Sequence, residues 1–142
     1  MAQVIIYKQE NGSVAVCAPT GELPIESVLA KDCPQDAIIV DEDILPKGND
    51  AFFFDAWELS GSTITVNMVK AKASMILHLN ILAKSEATYR VTNTAIGVNN
   101  KLSDESWIAL LSSCRNAIEA SQNTTDLVNA LALVKDAIQE NA

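Results

Sequence analysis

The pattern of apolar and polar positions along the chain changes near Asn67. Before this residue, short runs rich in β-branched residues alternate with turn residues, which is typical of strands joined by tight turns. After it, apolar residues recur every three or four positions, which indicates amphipathic helices. The change of period predicts an α+β protein: a small antiparallel β-rich module over residues 1–67, followed by an antiparallel bundle of three helices over residues 68–142.

Two turn signals organise the first module. Asn11-Gly12 separates two β-like runs, and both residues tolerate the positive φ of a hairpin turn. Ser60-Gly61 separates a second pair of runs in the same way. Proline is acceptable in the first turn of a helix, so Pro24 fits the start of a short helix. The expected elements are strands at 4–7, 13–18, 37–40, 57–59 and 62–66 and a helix at 24–31.

Two local clusters in the first module invite a functional interpretation. Four aromatic residues lie within positions 52–57, which is more typical of a core than of a ligand platform, so we expect Trp57 to anchor this module. The acidic run 41–43 suggests a metal site. However, the EF-hand pattern requires an oxygen ligand and a glycine where Leu45 and Pro46 stand, so a solvated turn fits the run better.

The second module begins with a helix that is apolar on almost every side, and we expect Asn67 to cap it. Two shorter helices cover only part of such a surface, so the remainder is predicted to self-associate or to bind a partner. The alternative is that the first module covers it. The candidate protein-binding residues are Met75, Ile76, Leu77, Leu79, Ile81 and Leu82.

The rest of the second module predicts a loop and two more helices. The loop is expected over residues 92–101, where glycine and asparagine are frequent. Ser103 or Asp104 then caps the second helix, and Thr124 or Thr125 caps the third. The apolar faces are expected to consist of Trp107, Leu111, Cys114 and Ile118 in the second helix and of Leu127, Leu131, Val134 and Ile138 in the third.

The charge of the chain is concentrated in the first module. Residues 1–60 hold 11 acidic and 3 basic residues, a net charge of −8, whereas residues 61–142 hold 7 of each. This distribution argues against nucleic acid as a partner, because a nucleic-acid groove needs a basic face. The acidic module is expected to be a solvated surface, to bind a basic partner, or to imitate DNA.

The composition also bears on the compartment. Cys17, Cys33 and Cys114 are odd in number and widely spaced, which is typical of reduced, intracellular cysteine. The first residues lack the features of a signal peptide, and the longest apolar run is too short to span a bilayer. We therefore expect no membrane partner and an intracellular location.

Residues with the spacing of a catalytic or metal site are not evident. The chain has one histidine, no glycine-rich phosphate loop and no cysteines at ligand spacing. Carboxylates that meet only in the folded chain stay possible. The prediction is a protein that is not an enzyme, with no catalytic residues, no metal and no cofactor.

The first half of the chain resembles a module of small bacteriophage proteins. The resemblance runs through IIY, NGSVAV, LPIESVLAKDCP, IIVDEDILP and FFFDAWELSGSTITVNMVKAKA, roughly residues 1–72. The matching residues are Ile6-Tyr7, Gly12, Val14 to Val16, Ile25-Glu26, Lys31-Asp32, Pro34, Asp41, Pro46, Phe54, Ala56-Trp57, Met68 and Lys70-Ala71. Such proteins are encoded near tail-fibre genes and are often labelled tail-fibre assembly or tail-associated proteins. The chain departs from them after Lys70, where Ser74 to Ala83 is apolar rather than charged.

The resemblance implies a phage protein that acts by binding protein. It would serve as an assembly chaperone for the tail fibre or as a small structural component of the virion, with the fibre protein or its own copies as partner. A different hypothesis follows from the charge: an anti-defence protein whose acidic module blocks a basic, nucleic-acid-binding host complex.

Overall fold

The computed structural model describes residues 2–140 of the chain. The protein is α+β, with small antiparallel sheets followed by helices, which confirms the predicted fold class. The chain divides into two compact units, Met1–Asn67 and Met68–Ala142. The division therefore falls where the hydrophobic period of the sequence changes.

A three-stranded antiparallel sheet forms the first part of the first unit. Its strands are β1 (Gln3–Lys8), β2 (Val14–Cys17) and β3 (Ile38–Asp41), in the order β2-β1-β3. β1 is central, and its Ile6 lies opposite Val16 on one side and Ile38 on the other. Helix α1 (Ile25–Asp32) connects β2 to β3 and begins directly after Pro24, so the predicted helix is displaced by one residue.

The turn between β1 and β2 uses its asparagine and its glycine differently. Gly12 adopts a φ of 85°, whereas no residue other than glycine has positive φ in the described chain. Asn11 contributes through its side chain instead, because its Oδ1 accepts a hydrogen bond of 3.0 Å from the backbone N–H of Ser13. The turn signal in the sequence was therefore correct, but only one of the two residues provides the left-handed conformation.

A hairpin follows, made of β4 (Trp57–Ser60) and β5 (Thr63–Val66). Ser60 pairs with Thr63, so the turn consists of Gly61 and Ser62 rather than the predicted Ser60 and Gly61. Gly61 has a φ of 61°. A two-residue turn of the II′ kind requires positive φ at its first central residue, which explains why the glycine occupies that place.

The core of the first unit lies between the sheet and the hairpin. Its buried side chains are Val4, Ile6, Val14, Trp57 and Ile64. These come from alternate positions of β1 and from both strands of the hairpin, as expected for strands with one face buried. The opposite face of β1 carries Ile5, which is fully buried where α1 packs against the strand.

The aromatic cluster is only partly in this core. It spans helix α2 (Asn49–Phe52) and a 3₁₀ turn over Phe54–Ala56. Phe53 and Trp57 are buried as expected, but Phe52 and Phe54 are exposed, which corrects the expectation that all four aromatic residues are core. The reason is geometric: a tight helical turn points adjacent side chains in different directions, and only one side of it faces the core.

The second unit consists of helices α3 (Met68–Ala95), α4 (Asp104–Ala120) and α5 (Thr124–Glu140), which pack on one another. Their buried side chains follow the helical period. The buried apolar residues are Ala71, Met75 and Leu79 of α3, Trp107, Cys114 and Ile118 of α4, and Leu127, Ala130, Leu131 and Val134 of α5. The predicted faces of α4 and α5 are therefore largely confirmed.

Two helix boundaries differ from the sequence predictions. α3 continues to Ala95, although a loop was expected from Thr92. It ends with Gly97 at a φ of 76°, the N–H of Val98 bonded to the carbonyl of Asn93 at 2.8 Å and the N–H of Gly97 bonded to the carbonyl of Thr94 at 3.2 Å. This is the Schellman arrangement of a helix that ends in a glycine.

The cap of α5 also differs, whereas that of α4 is as expected. The hydroxyl of Ser103 accepts from the N–H of Ser106 at 3.2 Å and caps α4. For α5, the side chain of Asn123 accepts from the N–H of Asp126 at 2.9 Å, and the carboxylate of Asp126 accepts from the N–H of Gln122 at 3.1 Å. Asn123 is therefore the cap, and not Thr124 or Thr125, because its amide oxygen reaches the free N–H groups of the first turn.

Candidate functional site

The six candidate protein-binding residues divide between the inside and the outside of the second unit. Met75 and Leu79 are buried, with 1% and 0% of their surface exposed, and belong to the core between the helices. Leu77 and Ile81 remain 62% and 58% exposed. Ile76 and Leu82 are half-buried at the borders of the exposed side. An outer binding surface on α3 would therefore be carried by Leu77 and Ile81, and not by Met75 or Leu79.

The exposed apolar side chains of α3 lie in a row. Val69, which is 78% exposed, and the exposed Ala73, Leu77 and Ile81 follow one another at intervals of four residues, and we call these four the α3 row. Residues four apart lie on the same face of a helix, about 6 Å apart along its axis. The row is thus a continuous apolar strip on one side of a rigid helix.

The charged residues on the first part of α3 are all positive. Between Met68 and Ser85 the helix carries three lysines and no carboxylate. The ammonium of Lys72 donates to the backbone carbonyl of Glu119 at 2.8 Å, so this lysine is held against α4. Lys70 and Lys84 are exposed on the same side as Leu77 and Ile81.

The far end of α3 holds a buried arginine that the sequence did not single out. One guanidinium nitrogen of Arg90 donates to the carbonyl of Leu102 at 2.7 Å and to the carboxylate of Asp104 at 2.8 Å. Its Nε lies 3.4 Å from the carboxylate of Glu86, and its guanidinium carbon lies 5.5 Å from the ring centre of Trp107. The only available signal was the spacing of Glu86 and Arg90, one helical turn apart.

A cleft of about 370 Å³ opens beside this arginine, lined by Arg90, Val91, Thr94, Ala95, Asn100 and Asp104. Its electrostatics do not favour a negatively charged ligand, because Asp104 and Glu86 already compensate the arginine. The arrangement joins the end of α3 to the loop before α4 and to the first turn of α4. We therefore interpret Arg90 as a structural residue.

The acidic run of the first unit forms a short 3₁₀ turn. Asp41 precedes it and accepts a hydrogen bond of 3.0 Å from the N–H of Asp43, as in a cap. Lys47 lies 3.6 Å from the Asp43 carboxylate in an exposed ion pair. Among residues 2–140, no three side chains of histidine, cysteine, aspartate or glutamate are grouped as metal ligands would be.

The three cysteines are free thiols. Burial raises the pKa of Cys114, against a smaller opposing effect of Arg115, and its thiol donates to the carbonyl of Ala130 at 3.2 Å. The pKa of Cys33 is also raised, first by burial. The neighbouring Cys17, which is hydrogen-bonded to it, and the charge of Asp32 raise it further. Since the thiolate is the reactive form, neither Cys33 nor Cys114 has the lowered pKa of a nucleophilic cysteine.

Two phenylalanines of the first unit are exposed. Phe52 and Phe54 are 58% and 42% exposed, and the acidic residues Asp50 and Asp55 are exposed beside them in sequence. We call these four residues the aromatic corner. The buried Trp57 holds this segment in place. Its indole N–H donates to the backbone carbonyl of Asp50 at 2.8 Å, and its ring lies 4.7 Å from the Phe54 ring.

None of the helices in the described part of the chain combines the length and the apolar composition needed to cross a membrane. Exposed apolar side chains include those of the α3 row on the second unit and of the aromatic corner on the first. Comparison of the chain with protein-family models, with curated proteins and with solved structures gave no match.

Proposed function

We propose that this protein acts by binding another protein through the α3 row. The observation that carries the proposal is the exposure of Leu77 and Ile81, one turn apart on the outer side of a 28-residue helix. Full burial of such a side chain stabilises a contact by about 1.5–3 kcal/mol, so covering the exposed part of both contributes roughly 2–4 kcal/mol. A rigid helix presents this strip without having to order on binding, which favours its use as an interface.

The proposed setting is a bacteriophage tail fibre. Support for it comes from the resemblance of residues 1–72 to small phage proteins encoded near tail-fibre genes. In that setting the protein is an assembly chaperone or a small component of the virion, located in the host cytoplasm or in the particle. Its mechanism is coverage of apolar surface, on the fibre or on its own copies, while the acidic unit keeps the complex soluble.

Co-expression with the neighbouring fibre gene, followed by affinity purification, tests the proposal. We expect the fibre protein to co-purify with the parent chain and to be lost from Leu77→Glu and from Ile81→Glu, because each places a charge in the apolar contact. Ser112→Glu is the matched control, since it adds the same charge at an exposed position of α4. Equal retention by all three variants would show that the α3 row is not the binding surface.

Mass spectrometry of purified virions distinguishes an assembly chaperone from a virion component. A chaperone is absent from the mature particle, whereas a virion component is present in a fixed ratio to the fibre protein. If instead the chain co-purifies with a basic, nucleic-acid-binding host complex, and salt but not Leu77→Glu disrupts this binding, the anti-defence hypothesis replaces the proposal.

A further inference from the structure

Two of the three cysteines lie on the helix side of the three-stranded sheet. Val14 of β2 is buried in the core and Val16 packs against it, so the alternation of a strand places Cys17 on the opposite face. Cys17 pairs with Ile5 of β1, which is fully buried where α1 packs against the strand. Cys33 directly follows α1 as its C-terminal cap residue. The end of β2 and the end of α1 therefore each place a cysteine on this side.

The two thiols are in contact. The side chain of Cys33 is hydrogen-bonded to Cys17, and both residues are half-buried rather than enclosed. Cys17 is the last residue of a strand, and Cys33 has an extended backbone with a φ of −118° and a ψ of 155°. From hydrogen-bond contact, a sulfur–sulfur bond of about 2.05 Å is within reach of small rotations of the two side chains.

The third cysteine has a different environment. Cys114 is fully buried in the second unit, and its thiol donates to the carbonyl of Ala130 at 3.2 Å. A thiol enclosed in this way is unreactive, because an oxidant does not reach it. The three cysteines of the chain are therefore one accessible pair in the first unit and one enclosed thiol in the second.

Helix α1 is the element that a bond between Cys17 and Cys33 would hold. None of its 8 residues is buried, and its N-terminal cap residue, Pro24, makes no side-chain hydrogen bond. A helix of this length is marginal in water without tertiary packing. Its contacts with β1 and β3 hold it on the sheet. A covalent bond at its end would therefore add a constraint where packing contributes little.

We infer that Cys17 and Cys33 are a reversible redox pair, whose disulfide ties the end of α1 to β2 and is formed by exchange with a low-molecular-weight disulfide such as oxidised glutathione. One protein thiolate attacks a sulfur of oxidised glutathione, which gives a mixed disulfide and releases one glutathione thiolate. The other protein thiolate then attacks the protein sulfur of the mixed disulfide and releases the second glutathione thiolate. The protein loses two protons and two electrons, and the two released thiolates take them up as two molecules of reduced glutathione.

The test uses the full-length parent chain in its folded state. The chain is equilibrated overnight at pH 8 with a series of ratios of oxidised to reduced glutathione, because burial and the neighbouring Cys17 raise the pKa of Cys33 and leave little thiolate at neutral pH. Free thiols are blocked with N-ethylmaleimide, and mass spectrometry of the intact and the digested chain, without reduction, identifies the bonds. Cys17→Ala and Cys33→Ala each remove one partner, whereas Cys114→Ala is the matched control that keeps the pair.

We expect the parent and Cys114→Ala to form a disulfide between Cys17 and Cys33, and dithiothreitol to reverse it. Either variant that lacks one partner is expected to accumulate the mixed disulfide with glutathione, because no second thiol displaces it. Hydrogen exchange followed by mass spectrometry reports on the tether. The amides of α1 are expected to exchange at least tenfold more slowly in the oxidised chain, and those of α4 and α5 at an unchanged rate.

Four results would overturn the inference. The first is a folded parent whose Cys17 and Cys33 stay reduced at the highest proportion of oxidised glutathione. The second is a mixed disulfide that persists on the folded parent, and the third is a bond between Cys17 and Cys33 that forms only in denaturant. The fourth is exchange of the α1 amides at the same rate in the oxidised and the reduced chain. The α3 row takes no part in this test, so its outcome and that of the fibre co-purification are independent.

Discussion

At the scale of single residues, Trp57 has the largest structural role in the first unit. It is 4% exposed, packs with Val4, Ile6, Val14 and Ile64, and donates its indole N–H to the carbonyl of Asp50. The ring therefore fills the space between the sheet and the hairpin, and its polar atom fixes the chain that carries the aromatic corner. The Trp57 side chain therefore stabilises the first unit both by packing and by hydrogen bonding.

Replacing this residue separates the two contributions. Trp57→Ala is expected to reduce the free energy of unfolding by about 3–5 kcal/mol, the usual effect of removing a buried tryptophan. Trp57→Phe keeps most of the packing but removes the indole donor, while the Asp50 carbonyl still accepts from the N–H of Phe53 at 3.2 Å. The expected effect is roughly 1 kcal/mol. Chemical denaturation followed by circular dichroism measures both, with the exposed Phe52→Ala as control. Unfolding of Trp57→Ala at the parent's midpoint would show that Trp57 is not a core residue.

The burial of Cys114 predicts that the stability of the folded chain depends on pH. Its pKa in the folded chain lies above the ordinary value of 9.0, mainly because of burial. The folded state thus holds the proton more tightly than the unfolded state. The resulting stabilisation is present below the unfolded pKa and is lost as the pH rises through the folded pKa.

Thiol labelling checks this prediction in the variant Cys17→Ala/Cys33→Ala, where Cys114 is the only thiol. At pH 8 we expect labelling to be slow in the folded chain and rapid in denaturant, because the buried thiol is less ionised and less accessible than the same thiol in the unfolded chain. Parallel labelling of a Cys114→Ala variant controls for the reagent and reports on Cys17 and Cys33. Labelling of folded Cys114 at the rate of a free thiol would contradict the burial of this side chain.

At the scale of elements, the cap of α5 makes a contribution to stability that a single substitution can measure. Asn123 accepts from Asp126 N–H, which the helix leaves unsatisfied, and Asp126 accepts in turn from the N–H of Gln122 just before the cap. Asn123→Ala is expected to reduce the free energy of unfolding by about 1 kcal/mol. Asn129→Ala, at an exposed position within the same helix, is the control and is expected to have less effect. A larger loss from Asn129→Ala than from Asn123→Ala would show that the cap is elsewhere.

The elements also show what the sequence could and could not predict. α4 was predictable, since Ser103 is a strong cap and Trp107, Cys114 and Ile118 follow the helical period. The end of α3 was not, because its last turns bury Arg90 and Asn93, polar residues that resemble a loop until their partners are known. At the start of α5, three adjacent residues can all cap a helix, and propensity alone does not choose among them.

The candidate site was predictable only in outline. The run from Met75 to Leu82 is apolar on several sides, which correctly indicated that α3 has more apolar surface than its neighbours bury. Which residues face outward depends on the angle at which α4 and α5 pack, and this placed Met75 and Leu79 in the core. The exposure of Phe52 and Phe54 depends likewise on the short helical turns around them, for which the sequence had no clear signal.

At the scale of the whole molecule, the uneven charge is the main feature. The first unit carries 11 acidic and 3 basic residues and the second 7 of each, so one unit has a net charge of −8 and the other is neutral. Strong negative charge on one unit favours solubility and disfavours non-specific association of that unit with its own copies.

The positions of the two tryptophans give the molecule an optical property. Trp57 lies in the first unit and Trp107 in the second, and both are buried. The fluorescence of each indole reports the polarity around it, so Trp107→Phe would leave an emission that follows the first unit alone, and Trp57→Phe one that follows the second. The two single-tryptophan chains would thus record, unit by unit, which half of the protein loosens first when temperature, denaturant or a bound partner changes.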